Sequence, residues 1–314
     1  MILVKDTIPR LTNEEKSILH SLLYFDVFNY PLMEEEIANF APQQLSENWR
    51  SSLNKLVNSR IVFFSENFYS LHISSAMIKR RVIGNARARL KMNLAKKYSN
   101  VIASFPFVRG VMLSGSISKN FMDKDSDIDY FIITEKGRLW TVRTLLVLFR
   151  RLILFNSRDC FCTNYFIDTE HLKIEEKNIF TAIEVATLKP MYGQKITSEF
   201  HQANRWIEDI LPNKTIVNSL DKDKRIFGKR WLERFLSIRL FNYLEHLLMI
   251  LSICFLRKRY SSFLSKSDFK IAFQSTPFVS RSHPNFFQKR VLATYQEKIN
   301  HIKNDLELNK GYLW

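Results

Sequence analysis

Glycine is scarce in this chain, at 7 of 314 residues, and proline adds only 8. So few flexible or helix-breaking positions exclude glycine-rich linkers and low-complexity tails, and they favour packed helices and strands. Cysteine is rarer still. Cys160, Cys162 and Cys254 form an odd, sparse set that argues against a disulfide framework, and Cys160-x-Cys162 lacks the second ligand pair of a zinc site. A reducing, cytoplasmic setting is the expectation. Long apolar runs are missing as well. The most apolar, Leu247 to Leu256, is roughly half of the ~20 residues that span a bilayer, so a buried helix is expected there and no transmembrane segment. Lys5 and Asp6 interrupt the start before a secretory signal develops. There is no Walker-type loop, no dinucleotide fingerprint and no locally supported Ser/His/Asp arrangement. His171, His246 and His301 show no ligand spacing. Acidic residues are outnumbered, 31 against 47 Lys and Arg, for a net charge of +16. That surplus attracts polyanions, whether nucleic acid, acidic membrane or nucleotide phosphate, without choosing among them.

What the chain has in quantity is apolar side chains, 46% of residues with 26 Phe, which is enough for a sizeable core. Its length implies two or three domains. Residues 1–75 read as a small winged helix-turn-helix. Thr12 and Glu15 make a capping-box pattern before an apolar face of Ile18, Leu19, Leu22, Leu23 and Phe25. Helices over 33–40 and 45–58 follow, the second carrying Trp49, Leu53 and Leu56 at helical spacing, and two short strands flank the wing Ser65-Glu66-Asn67. That third helix offers Arg50 and Lys55 but also Glu47, a poor set for reading bases. Met77 to Tyr98 is a basic helix without acids, and Ile78, Val82, Ile83, Ala86, Leu90 and Leu94 are its expected buried stripe. Its charges then face solvent, where they form a candidate contact for nucleic acid.

Further along, Val108 to Leu113, Ile128 to Thr134 and Cys160 to Asp168 read as strands, and a basic helix over 139–155 separates the second from the third. Helices over 178–188 and 199–210 stop before Pro190 and Pro212. Asn213 to Asp223 is the candidate linker, and two long helical stretches, 226–264 and 286–306, complete a C-terminal helical region over 213–314.

The chemistry concentrates in one place. Asp123, Asp125, Asp127 and Asp129 crowd into seven residues with Lys124 between them. Like charges this close disfavour one another, and a divalent cation is the usual way to keep them ionised. Asp127 and Asp129 precede the apolar run Tyr130-Phe131-Ile132-Ile133, so they stand at the mouth of a buried strand. Residues i and i+2 of a strand share a side, which points both carboxylates at one site and Ile128 into the core. A calcium loop is excluded, because Ile128 stands where that loop turns on Gly and Thr134 where it needs Glu. Upstream, the strand ending Leu113-Ser114 runs into Gly115-Ser116, a turn whose N–H groups and hydroxyl suit phosphate oxygens.

Gly115-Ser116, ten intervening residues and Asp127-Ile128-Asp129-Tyr130 together resemble the motif of the DNA polymerase β-like nucleotidyltransferase superfamily. The motif core covers Pro106 to Trp140. The layout of most of the chain, including Asn164-Tyr165, Phe180-Thr181-Ala182 and Asn204-Arg205-Trp206, is similar to bacterial nucleotidyltransferase-domain proteins with an N-terminal winged helix. The resemblance implies an α+β domain over 76–212, with a mixed sheet and packed helices between the winged module and the helical region. It also implies transfer of a nucleoside monophosphate from an NTP to an acceptor hydroxyl on a small molecule, protein or RNA. Asp127 and Asp129 would hold two Mg²⁺ ions, and Gly115 and Ser116, with Lys119 close by, would hold the terminal phosphates.

The family adds a third carboxylate from a later strand. Alternation in Cys160 to Asp168 puts Cys162, Asn164, Phe166 and Asp168 on one face. Asp168 is the candidate third catalytic acid, and Asn164, mid-strand, is the alternative on the metal side. An asparagine there brings no charge, which keeps a second reading open: a weakly active or inactive relative that binds nucleic acid or a protein partner. Arg138 and Arg143 are further candidates for the triphosphate.

Overall fold

The computed structural model describes residues 10–155, 157, 159–216, 228–236, 240–260, 269, 273–282, 286–309 and 314. The expected linker 213–223 and helical stretch 226–264 therefore lie partly outside the described residues. Three helices open the fold: α1 (Asn13–Asp26), α2 (Glu34–Phe40) and α3 (Trp49–Asn58). A hairpin of β1 (Phe63–Ser65) and β2 (Phe68–Ser70) follows, joined through Glu66 and Asn67, both at positive φ as a tight two-residue hairpin turn requires. The capping box forms as expected, with Thr12 Oγ1 accepting from Glu15 N and Glu15 Oε2 accepting from Thr12 N. Arg50 and Lys55 of α3 pair internally with Glu34 and Glu15.

The long α4 (Ser75–Ser104) leads into β3 (Val108–Ser114), α5 (Gly115–Ser118), β4 (Asp129–Thr134), α6 (Leu139–Leu152) and β5 (Cys162–Asp168). After these come α7 (Ile179–Ala186), β6 (Lys189–Tyr192), α8 (Gln194–Ala203), α9 (Ile207–Ile210), α10 (Lys229–Leu236) and α11 (Leu240–Tyr260). β7 (Phe273–Ser275), β8 (Val279–Ser282) and α12 (Phe287–Asn309) complete the described chain. The result is α+β, with one mixed six-stranded sheet in the order β6-β3-β4-β5-β8-β7. Only the β4–β5 pair in it is parallel.

Side-chain alternation gives the sheet two buried faces. Val111, Leu113, Tyr130, Ile132 and Phe166 pack under α4 and α6. Met112, Phe131, Ile133 and Ile167 pack with α7, α8, α12 and the N-terminal helices in a second, continuous core. The N-terminal module thus shares a core with one sheet face.

Three expectations need correction. Of the stripe expected on α4, Ile78 is buried and Ala86 and Leu94 are half-buried, but Val82, Ile83 and Leu90 are exposed, and the buried side runs on through Arg81, Gly84, Ala88, Ala95 and Ile102. Close packing selects small residues: a Cβ on Gly84 would lie 2.2 Å from the Phe121 ring. The C-terminal region is not purely helical, since β8 pairs with β5 and extends the sheet. Strand β6, unforeseen, tolerates Pro190 because it is an edge strand bonded only to β3. The run Leu247 to Leu256 is helical, but it packs on α6 by one side and leaves Leu247, Ile250, Leu251 and Phe255 exposed. Among the described residues no helix is long and apolar enough to cross a membrane.

Candidate active site

The site is built where β3 ends beside the start of β4. Ser114 and Asp129 are Cα partners in that antiparallel pair, so the Gly115 turn lies directly against Asp129. Gly115 takes φ +66°, and a Cβ there would meet Asp129 Oδ2 at 2.5 Å. Glycine is required twice over, by conformation and by space. Asp127 and Asp129 are half-buried on either side of Ile128, which is fully buried, as the period-two argument requires.

Asn164 Nδ2 donates to Asp129 Oδ1 at 2.6 Å, and the Cys162 thiol donates to Asn164 Oδ1 at 3.2 Å. This contact exists because of a break in register. Thr163 stands opposite Tyr130 and Tyr165 opposite Phe131, so Asn164 is an extra residue, a bulge in a parallel pair. The bulge reverses the alternation expected for β5. Asn164 shares its face with Cys162 and then with Tyr165 and Ile167, while Phe166 turns into the opposite core. Asp168 follows Phe166 to that other face at the far end of the strand, opposite Thr134. Its carboxylate is buried and accepts from the Glu170 and His171 amides and from His171 Nδ1–H. The structure therefore does not bring Asp168 to Asp127 and Asp129. The β5 side chain that stands beside Asp129 is Asn164.

Burial pushes the Asp129 carboxyl up to about 7, reinforced by the charges of Asp127 and Glu184 and opposed by the Cys162 thiol and Lys119. Burial and the same aspartates push the Cys162 thiol up to about 12. Lys119 reaches Gly115 O at 3.2 Å and pairs with Glu184 Oε1 at 2.8 Å. Asp123 belongs to a different partnership: Arg80 of α4 holds it through Nε at 2.8 Å and stacks on Phe121. Neither Arg138 nor Arg143 faces this site. Arg138 is buried over Phe107, and Arg143 stacks on Trp140 in a separate cavity beside α11.

Ser116, Lys119, Asp127, Asp129 and Asn164 line one cleft of about 530 Å³, a volume typical of small-ligand sites. Its far walls come from Tyr24 and Phe25 of α1, Phe28 in the turn after it, Phe180 and Glu184 of α7, and Phe287 at the start of α12. None of these wall residues carries a local sequence signal for the site. They reach it only because α1 and α12 pack over the sheet, with Lys298 holding Asp26 at 2.6 Å.

No protein-family model matches this chain, and no match to it was found among curated proteins or among solved structures.

Proposed function

We propose that the cleft binds an NTP and transfers its nucleoside monophosphate to an acceptor hydroxyl, in the manner of the polymerase β-like nucleotidyltransferases, with the N-terminal helices and hairpin acting as a winged module. The observation that carries this reading is the convergence of the Gly115-Ser116 turn with Asp127 and Asp129 at one end of a ligand-sized cleft. Two half-buried carboxylates at one site, with burial and the charge of Asp127 raising the proton affinity of Asp129, fit a hard divalent cation such as Mg²⁺. Among the described residues no group of three or more His, Cys, Asp or Glu forms a cation cluster.

Asp127 and Asp129 would hold the Mg²⁺, whose bound charge neutralises phosphate oxygens and favours attack at the α-phosphorus. The turn at Gly115 and the Ser116 hydroxyl take the terminal phosphates, with Lys119 within reach of the same turn. A phosphoester bond forms between the acceptor oxygen and the α-phosphorus. The bond to the β-phosphate oxygen breaks, pyrophosphate leaves with its electron pair, and the hydroxyl proton passes to water. Asn164 holds Asp129 in orientation and carries no proton itself.

The direct test incubates the protein with each α-labelled NTP, Mg²⁺ and cell lysate, beside an Asp127→Ala/Asp129→Ala variant. Label on any acceptor with the parent alone is the expected result. A second reading, NTP binding with little turnover, is favoured by the neutral Asn164. Binding of NTP by calorimetry without any labelled product would select it. Nucleic-acid contact through the basic helix 77–98 remains a separate proposal, supported by the exposure of Lys79, Arg89, Lys96 and Lys97 on α4.

A further inference from the structure

Helices α6 and α11 lie side by side and run in the same direction. At their starts Glu245 accepts from the Trp140 and Thr141 amides, and towards their ends the Arg151 guanidinium stacks 5.2 Å from the centre of the Phe255 ring. The C-terminal ends of both helices therefore come together. Between the helices lies a groove of about 350 Å³ that reaches Thr163 and Asn164 of β5.

Four arginines line this groove, Arg143, Arg150, Arg151 and Arg259, and no Asp or Glu does. α6 contains no acid, and the one acid of α11, Glu245, is held at the other end by the start of α6. Arg143, Arg151 and Arg259 form no ion pair among the described residues. Burial and the charge of Arg150 pull the Arg143 guanidinium down to about 10. Cations near a helix C-terminus complement its dipole, which accounts for some of this charge. It does not account for the apolar side chains beside it. Leu148 and Leu152 of α6, and Leu247, Ile250, Leu251 and Phe255 of α11, are 43–71% exposed. Spacings of three and four residues set each group on one side of its helix, and Leu148, Leu251 and Phe255 share the groove with the arginines.

An apolar patch rimmed by cations marks a surface that another body covers. A second copy of the chain, docked by the same face, would bring these arginines against themselves across a two-fold axis. A nucleic acid would neutralise the arginines, but it stacks on aromatic rings and gains little from Leu and Ile. An anionic bilayer satisfies both halves of the patch, with phosphates at the guanidinium groups and the apolar side chains at the acyl boundary. The run Leu247 to Leu256 is roughly half the length of a membrane span, so α11 would lie along the surface.

We infer that the α6–α11 face docks on a bilayer carrying anionic phospholipid, with the four arginines taking lipid phosphates and Leu148, Leu152, Leu251 and Phe255 entering the interface. The assignment stands apart from the nucleotidyltransferase reading. Asn164 lines both this groove and the candidate active-site cleft, so docking brings that cleft close to the membrane.

The test centrifuges the full chain with vesicles of phosphatidylcholine alone, and of phosphatidylcholine and phosphatidylglycerol in a two-to-one ratio. Affinity for the anionic vesicles at least about tenfold above that for the neutral ones is expected, falling as salt is raised. Leu152→Asp/Leu251→Asp changes two exposed side chains, and Arg151→Gln/Arg259→Gln removes two charges. Each should lower the affinity about tenfold with Tm unchanged, whereas Lys79→Gln/Lys97→Gln on α4, with the same loss of charge, should lower it less than about threefold. Absence of sedimentation with anionic vesicles overturns the assignment, as does equal affinity for neutral ones or an equal loss in the α4 variant. An oligonucleotide that binds the parent and not Leu152→Asp/Leu251→Asp would hand the face to nucleic acid. A dimer in analytical ultracentrifugation that dissociates in that variant would hand it to a second copy, and either result also overturns the membrane assignment.

Discussion

Asn164 of β5 donates its amide to the Asp129 carboxylate of β4 across 2.6 Å. The donor stabilises the ionised form of Asp129, against the burial that disfavours it. Neutrality at position 164 thereby lets Asp127 and Asp129 coexist without a third negative charge.

Asn164→Asp reverses that arrangement. With metal chelated, the added carboxylate faces Asp129 and loses the donated bond, an expected cost of about 1–3 kcal/mol. Millimolar Mg²⁺ should recover most of it. Thermal melts with EDTA and with MgCl₂ check this, and a variant whose Tm ignores Mg²⁺ contradicts a cation site in the cleft.

Gly115 and Gly137 form a matched pair, at φ +66° and +62°. A Cβ on Gly137 meets nothing within 4 Å, whereas one on Gly115 meets Asp129. Gly137→Ala should therefore cost only the backbone strain, about 1 kcal/mol, and Gly115→Ala at least about 1–2 kcal/mol more, with loss of NTP binding. Equal urea midpoints for the two variants would falsify the close approach.

The raised proton affinity of Asp129 makes a pH prediction with an unusual sign. Its folded value, about 7, lies above the ordinary 3.8, so between those limits the folded chain holds a proton that the unfolded chain has released. The group's contribution to stability is full below about pH 4 and is lost as pH rises to about 7 in metal-free protein. Mg²⁺ affinity should grow over the same window. Urea unfolding of parent and Asp129→Asn in EDTA at pH 5 and 7.5 measures the difference, which should favour the parent more at pH 5.

Arg81 is 1% exposed, bonds Glu36 at 2.6 Å and stacks on Tyr30 with its guanidinium carbon 3.8 Å from the ring centroid. It ties α2 to α4 inside the core. Glu36→Ala leaves a buried guanidinium uncompensated and should cost about 3–5 kcal/mol, whereas Arg81→Met with Glu36→Met should cost much less. Additive losses in denaturant melts of the single and double variants would argue against a coupled pair.

Much of the local architecture was legible in the chain. The Thr12–Glu15 capping box, the strand carrying Asp129 and the inward Ile128 all follow from interactions within a few residues, or from the period-two pleat. The acid pair and the Gly-Ser turn were legible for the same reason. Failures came where neighbours decide. Only Ile78 of the apolar stripe expected for α4 is buried, because the helix packs closely through Gly84 against Phe121 and through Ala88 and Ala95 on the sheet core, which leaves Leu90 outside. The strands β7 and β8 are three and four residues long and gain their hydrogen bonds from each other and from β5, so they carry little pattern of their own.

Periodicity and spacing in the amino-acid order were sufficient to place Gly115, Ser116, Asp127 and Asp129 around one turn. Tertiary structure alone decided that Asn164 rather than Asp168 stands beside them, because one extra residue in β5 inverts every side chain after it. It also decided that Tyr24 and Phe287, 263 positions apart in the chain, close the same cleft. A contact made by packing α1 and α12 over a sheet has no signature in either helix.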